Sequence, residues 1–369
     1  MKFIHFGCWN NGSCNIESGD NGLSKTMRKL KSYISSTPID FLVIAGDNYY
    51  PSKAKNDKGE KVKTLNVADL QSGFSCLPKD VKKYILFGNH EYDDTSLIIH
   101  KGKVEPNEEK CKILSLEQEQ SMIIDTPDNI NLFKDVMYVK KDNSLLIMID
   151  TTIYEDDNDN IELFKDSCLK NIFPNLPKRD TIQDFISYQQ SKIEEILNLP
   201  ENKTVRNIIL IGHHPIITVK FKKDKEKTKM SSLEKFKQLF ININGLLLGK
   251  QLYYLCADTH LYQPGTVTIK SKSPEIPDIQ IKQYICGTGG AEQDECPPTT
   301  TGVYENVDKS LIFNMDDCSK IFGFLVVDIN GDELKFEFKN AETHGGNYYS
   351  KYLKYKLKYE KLKLQHQQY

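Results

Sequence analysis

An α/β fold is predicted, with its chemistry gathered at strand ends. Apolar runs of strand length stop abruptly at a glycine and a polar residue, as in Phe41-Leu42-Val43-Ile44-Ala45-Gly46-Asp47. The same design returns at Leu86-Phe87-Gly88-Asn89-His90-Glu91, Leu210-Ile211-Gly212-His213-His214-Pro215 and Leu255-Cys256-Ala257-Asp258-Thr259-His260. Segments with helical spacing lie between some of these runs. In open α/β sheets, ligands collect beyond the carboxyl ends of strands. One Gly-Asp at a strand end is an ordinary turn, and the repetition is what carries meaning.

Taken in order, Lys2 to Phe6 reads as a first strand ending in the loop Gly7-Cys8-Trp9-Asn10. Leu23, Met27, Leu30 and Ile34 have helical spacing, and the turn Ser35-Ser36-Thr37-Pro38 stops that helix. The strand reaching Asp47 follows. Residues 53 to 63 are charged, contain Gly59 and read as a mobile loop. Tyr84 to Phe87 is a third strand; residues 93 to 135 read as loop mixed with short helix. Met137–Val139 and Leu145–Ile149 form a hairpin turning at Asp142-Asn143 and ending at Asp150-Thr151-Thr152. Acids, Pro174 and Pro177 make 155 to 181 a loop, and Phe185 to Leu197 an amphipathic helix. The strand Asn207 to Ile211 leads to His213, and residues 220 to 229 hold six lysines. A helix from Ser232 to Phe240 precedes the strand reaching Asp258. The rest reads as all β: Gly265–Ile269, Ile281–Cys286, Gly323–Ile329 and Leu334–Phe338, with Asn330-Gly331 as a hairpin turn.

The chain's 369 residues suffice for a sizeable core, and 39% hydrophobic with 27% charged residues is ordinary globular composition. A net charge of -2 gives no global reason to expect nucleic acid or an anionic membrane as partner. Nine scattered cysteines, without Cys-x-x-Cys, predict buried thiols in a reducing compartment rather than a disulfide framework. The N-terminus lacks a signal peptide's apolar run, and no stretch approaches the ~18 apolar residues of a membrane span. An intracellular, cytoplasmic setting is expected.

The ordered set Gly46-Asp47-Asn48-x-Tyr50, Gly88-Asn89-His90-Glu91, Gly212-His213-x-Pro215 and Asp258-x-His260 resembles the calcineurin-like metallophosphoesterases. Tyr50 and the Gly-His-x-Pro-Ile wording at 212 to 216 are most similar to the purple acid phosphatase branch. The resemblance implies a four-layer αββα sandwich of two mixed β-sheets, with one domain over 1–342. It implies hydrolysis of phosphate esters, monoesters above diesters, by a metal-bound hydroxide at a pair of ions ~3.5–4 Å apart. Asp47 would bridge the pair. Asn89, His213 and Asp258 would hold one ion, and Tyr50, His260 and a ligand from the first strand the other. His90 would act as general acid or hold the phosphate, with His214, the other nearby imidazole, as the weaker candidate for the same role.

Two positions depart from the family pattern. Cys8 stands where the family carries its first Asp, and Asp258 where it carries a His. A thiolate suits zinc and is a poor ligand for magnesium, calcium or manganese. The expected ions are zinc, iron or manganese. Cys8 is alternatively a small buried hydrophobe, with Asn10 as another oxygen ligand. These departures also motivate a second reading, an impaired enzyme whose fold serves as a binding or structural module. The lysines at 220 to 229 read as a solvated charged loop or, alternatively, as a basic segment that would steer a phosphorylated small molecule or phosphoprotein to the cleft.

From 343 to 369 the composition changes. Tyr348, Tyr352, Tyr355, Tyr359 and Leu362 follow heptad-like spacing among lysines, which predicts a short helix able to self-associate over 348–364, or a solvated tail. Its Lys-Tyr-Leu wording resembles endings of giant DNA virus proteins, implying a host-cytoplasm or virion setting.

Overall fold

The computed structural model describes residues 1–50, 52–55, 61–64, 67–91, 97–100, 103–106, 129–133, 135–155, 182–271, 273 and 275–342. Short apolar strands buried on both faces make parallel pairs, and alternating strands make the antiparallel flanks.

The first sheet is built on β1 (Lys2–Phe6) and β2 (Phe41–Ala45). The small hairpin β3 (Ser52–Lys55) with β4 (Lys61–Thr64) follows, and then β5 (Lys82–Leu86). A second hairpin, β6 (Leu97–His100) with β7 (Lys103–Pro106), precedes β8 (Ile130–Leu132). The second sheet begins with β9 (Met137–Lys141), β10 (Ser144–Met148) and β11 (Asn207–Ile211). A ribbon of β12 (Ile217–Lys222) and β13 (Lys227–Ser232) stands apart from it. The second sheet continues with β14 (Gln251–Cys256), β15 (Tyr262–Ile269), β16 (Ile279–Cys286), β17 (Gly302–Glu305) and β18 (Leu311–Met315). β19 (Gly323–Asn330) and β20 (Glu333–Asn340) return to the first sheet.

Among the described residues the sheets run β20-β19-β1-β2-β5-β8 and β17-β18-β15-β16-β14-β11-β10-β9. In the first, β1, β2, β5 and β8 are parallel and β19 is antiparallel to β1. In the second, β10, β11, β14 and β16 are parallel while β9, β15, β17 and β18 are antiparallel. Both sheets are therefore mixed, as expected. Phe336 of β20 stacks on Tyr253 and Tyr284 of the second sheet, so aromatic faces join the layers. Helix α1 (Gly22–Ser36) is capped by the Asn21 side chain, which accepts from Ser24 N, and it lies along β19.

Several expectations change. The charged segment after Pro51 forms the β3–β4 hairpin, because a ladder is made by backbone groups whatever the side-chain charge. The lysine segment is likewise a ribbon and not a loop. Leu97–His100 and Lys103–Pro106 pair as strands where loop and helix were expected. Helix α2 (Val67–Cys76) had no sequence signal strong enough to be read. Residues 156–181 and the 343–369 tail, with its helix and self-association, lie outside the described residues.

The cysteine expectation is overturned. Cys14 is bonded to Cys76 and Cys296 to Cys318, at sequence separations of 62 and 22. Cys8, Cys256 and Cys286 are free and buried, while Cys111 and Cys168 lie outside the described residues. Parity and spacing do not report which thiols the fold brings together, and disulfides remove the argument for a reducing compartment. Among the described residues no helix is long and apolar enough to cross a membrane.

Candidate metal centre

The carboxyl ends of β1, β2, β5, β11 and β14 deliver Cys8, Asp47, Asn89, His213 and Asp258. Three of these residues hold left-handed backbone: Cys8 at φ 52°, Asp47 at φ 52° and Asp258 at φ 48°. That region disfavours a Cβ by roughly 1–2 kcal/mol per residue, and such strain concentrates where a side chain must be aimed. Gly46 (φ 81°) turns where a Cβ would lie 2.6 Å from both Gly88 N and His213 Nδ1. Only glycine lets the strand ends approach this closely.

Asp47 is shared between two groups of donors. Its Oδ2 accepts from Tyr50 Oη at 2.9 Å and lies 3.5 Å from Cys8 Sγ. Its Oδ1 lies 3.2 Å from His213 Nε2 and accepts from His90 N at 3.2 Å. Tyr50 Oη is also 3.1 Å from His260 Nε2, which gathers Cys8, Asp47, Tyr50 and His260 on one side. On the other, His213 Nε2 stands 3.2 Å from Asn89 Oδ1 and 4.0 Å from Asp258 Oδ1.

Both histidines are oriented by backbone carbonyls. His213 Nδ1 donates to Ala45 O at 2.6 Å, and His260 Nδ1 to Glu292 O at 2.5 Å. A carbonyl only accepts, so each Nε2 carries a lone pair in the neutral ring, the arrangement metal-ligating histidines adopt. A lone pair aimed at the oxygens of Asp47, Asn89 and Asp258 calls for a cation between them. The donor set fits a pair of ions on this ground, with Cys8 the softest member of its group.

Without an ion, a proton fills that need. Burial would lower the pKa of His213, but the Asp47 charge and hydrogen bond, with Asp258, push it up to about 10. Asp47 is correspondingly held well below the usual carboxylate range by His213, despite burial. Burial, reinforced by Asp47 and Asp258, pushes the Cys8 thiol well up.

His90 is half-buried, and its ring lies 4.5 Å from that of Tyr50. His214 is buried edge-on to His213, with Nδ1 at 3.2 Å from Thr151 Oγ1 and Nε2 at 2.9 Å from Glu155 Oε1. It also belongs to a group, His213, His214 and Asp258, whose ligand atoms converge. Asn10 instead packs against Gly73 of α2.

Sequence reasoning assigned no role to several residues that shape the centre. Buried Glu91 accepts from Asp47 N, Asn48 N and Gly88 N, tying two strand ends together. Burial and the Asp47 charge push its pKa up to about 8 against those backbone bonds. Thr151 Oγ1 accepts from the backbone N–H of both His213 and His214. Asp294 Oδ2 accepts from His260 N at 3.2 Å and pairs with Lys220 Nζ at 3.0 Å. Burial opposes the Lys220 charge, but Asp258 and Asp294 together raise its pKa. The Glu91 position was visible in its motif; the others depend on approach across the fold.

The sequence model of the calcineurin-like phosphoesterases matches residues 1–262. The chain belongs to that family. Its members generally hold two metal ions, and the phosphoesterase centre here offers ligand groups of the right kinds. Among solved structures the phosphoesterase chain is similar to GAP50, the anchor in the inner membrane complex of Plasmodium. That match has 12% identity and a TM-score of 0.49, over 94% of this chain and 87% of the other. It is also similar to the 5'-nucleotidase of Candida albicans at 13% identity and a TM-score of 0.40. There the match covers 93% of this chain and 51% of the other, about half its length. Comparison with curated proteins found no match.

Proposed function

We propose that the protein hydrolyses phosphate monoesters at a pair of metal ions drawn from zinc, iron and manganese. The observation that carries this reading is Asp47, one carboxylate whose two oxygens address two separate donor groups. Bound ions would supply Lewis-acid stabilisation and a nucleophile available near neutral pH. Cys8, Asp47, Tyr50 and His260 would hold one ion, and Asp47, Asn89, His213 and Asp258 the other.

The chain's own groups do the rest. Glu91 fixes the turns carrying Asp47 and Asn89, so ligand positions are set before substrate arrives. Ala45 O and Glu292 O fix the tautomers of His213 and His260. His90 is the proton donor to the leaving-group oxygen, and Asp47, accepting from its backbone N–H, keeps it beside the centre. His214, held by Thr151 and Glu155, braces His213 and is the second candidate for phosphate contact. The substrate is a phosphorylated small molecule or phosphoprotein.

Metal content per chain, followed by p-nitrophenyl phosphate hydrolysis with zinc, manganese or iron added back, tests the reading. Two ions with turnover, and loss of turnover in Asp47→Asn and Asn89→Ala, are expected. A metal-free protein that hydrolyses neither monoesters nor diesters would instead make the fold a binding module.

A further inference from the structure

The ribbon after the His213 turn has a charge pattern that folding does not favour. Its register places Lys220 opposite Lys229 and Lys222 opposite Lys227. Residues directly opposite in an antiparallel pair share a face, as do residues two apart along a strand. Lys220, Lys222, Lys227 and Lys229 therefore form two like-charged rows on one face. Like charges directly opposite one another destabilise a ribbon. Among the described residues Lys222, Lys227 and Lys229 make no ion pair, so no described carboxylate compensates them.

The face is also aimed. Lys220, at its inner end, pairs with Asp294, the carboxylate that accepts from His260 N. Phe221 bridges to Glu295, and Lys223 and Lys320 both pair with Glu295, which fixes the ribbon against the loop carrying Glu292 and Asp294. The Cys296–Cys318 disulfide anchors the chain just after that loop. From Lys220 the lysine rows lead outward, each step of two residues covering about 7 Å. A row of cations continuing outward from the centre suits an extended chain of phosphates better than a lone phosphate.

We propose that this lysine face is a second anion subsite, selecting substrates that carry further phosphate groups beyond the one at the metal centre. It deepens the hydrolytic reading by naming the substrate class, polyphosphorylated compounds. Lys220 and Lys229 hold the inner part of the phosphate chain, and Lys222 and Lys227 its outer end.

Direct binding of inorganic tripolyphosphate and of orthophosphate to the metal-loaded protein provides the test. Wild type should bind tripolyphosphate about tenfold or more tighter, with a preference that falls as salt rises. In Lys227→Glu/Lys229→Glu each pair becomes one of opposite charge, so the unfolding midpoint should not fall. The tripolyphosphate preference should shrink to near unity. A preserved preference in this folded variant, or no preference in wild type, overturns the proposal. Turnover of p-nitrophenyl phosphate by wild type is scored separately. Tripolyphosphate selectivity without hydrolysis of any ester would overturn the catalytic reading and leave the subsite standing.

Discussion

His213 Nε2 stands 3.2 Å from Asp47 Oδ1 with both side chains buried, while His213 Nδ1 is committed to Ala45 O. The pair is an ion pair in the metal-free protein, and in the proposed centre both would be ligands once a metal displaces the proton. His213→Ala should cost the metal-free protein about 3–5 kcal/mol by leaving buried Asp47 without its nearest counter-charge. Urea unfolding with chelator present checks this. A loss under 1 kcal/mol would mean that Asp47 has another counter-charge.

The same pair sets an alkaline dependence. The folded His213 pKa of about 10 lies above the ordinary 6.5, so its stabilisation is complete below 6.5 and lost as pH rises toward 10. Metal binding must expel this proton, so apparent affinity should climb with pH through that window. Metal titrations at several pH values in wild type and His213→Asn would show it; equal slopes would rule it out.

At the acid end, His5 behaves in the opposite sense. Burial lowers its pKa to about 4, with a hydrogen bond to Cys256 O opposing. The unfolded chain protonates near 6.5 and the native one only near 4, so stability present above 6.5 is lost as pH falls through that interval. The loss should reach roughly 3 kcal/mol. Comparing unfolding free energies at pH 7 and pH 4.5 in wild type and His5→Phe should show a smaller acid loss in the variant.

Cys8 holds a buried thiol at a left-handed position where the family carries Asp. Asp tolerates that backbone better, and its carboxylate needs no proton expelled near neutral pH. Cys8→Asp should raise metal content and turnover several-fold with manganese and less with zinc. Metal analysis of the variant decides, and unchanged content with both ions would show that Cys8 is not a ligand.

The Cys296–Cys318 disulfide anchors the chain just after Glu292 and Asp294, the residues that orient His260. Closing a loop of this length stabilises by about 3 kcal/mol in the chain-entropy account. Cys318→Ser should lower the unfolding free energy by about that amount and cut turnover, while alkylation of native wild type should spare buried Cys8, Cys256 and Cys286.

Local pattern decided a good deal in this chain. Apolar runs closed by Gly-Asp, Gly-Asn-His and Gly-His-His announced the strands reaching Asp47, Asn89 and His213, because a buried strand and its terminal turn are written in adjacent residues. Ligand-type residues at those ends were legible for the same reason. The lysine ribbon was not, since its ladder depends on a partner strand and outweighs a charge pattern that suggests a loop. The disulfides, the Glu91 clasp and the Lys220–Asp294–His260 chain were beyond local reading too. Each joins residues far apart in sequence, and only the packing of the two sheets chooses those partners. Sequence alone thus determined which groups stand at the strand ends; the tertiary structure decided what each faces, and with it tautomer and charge.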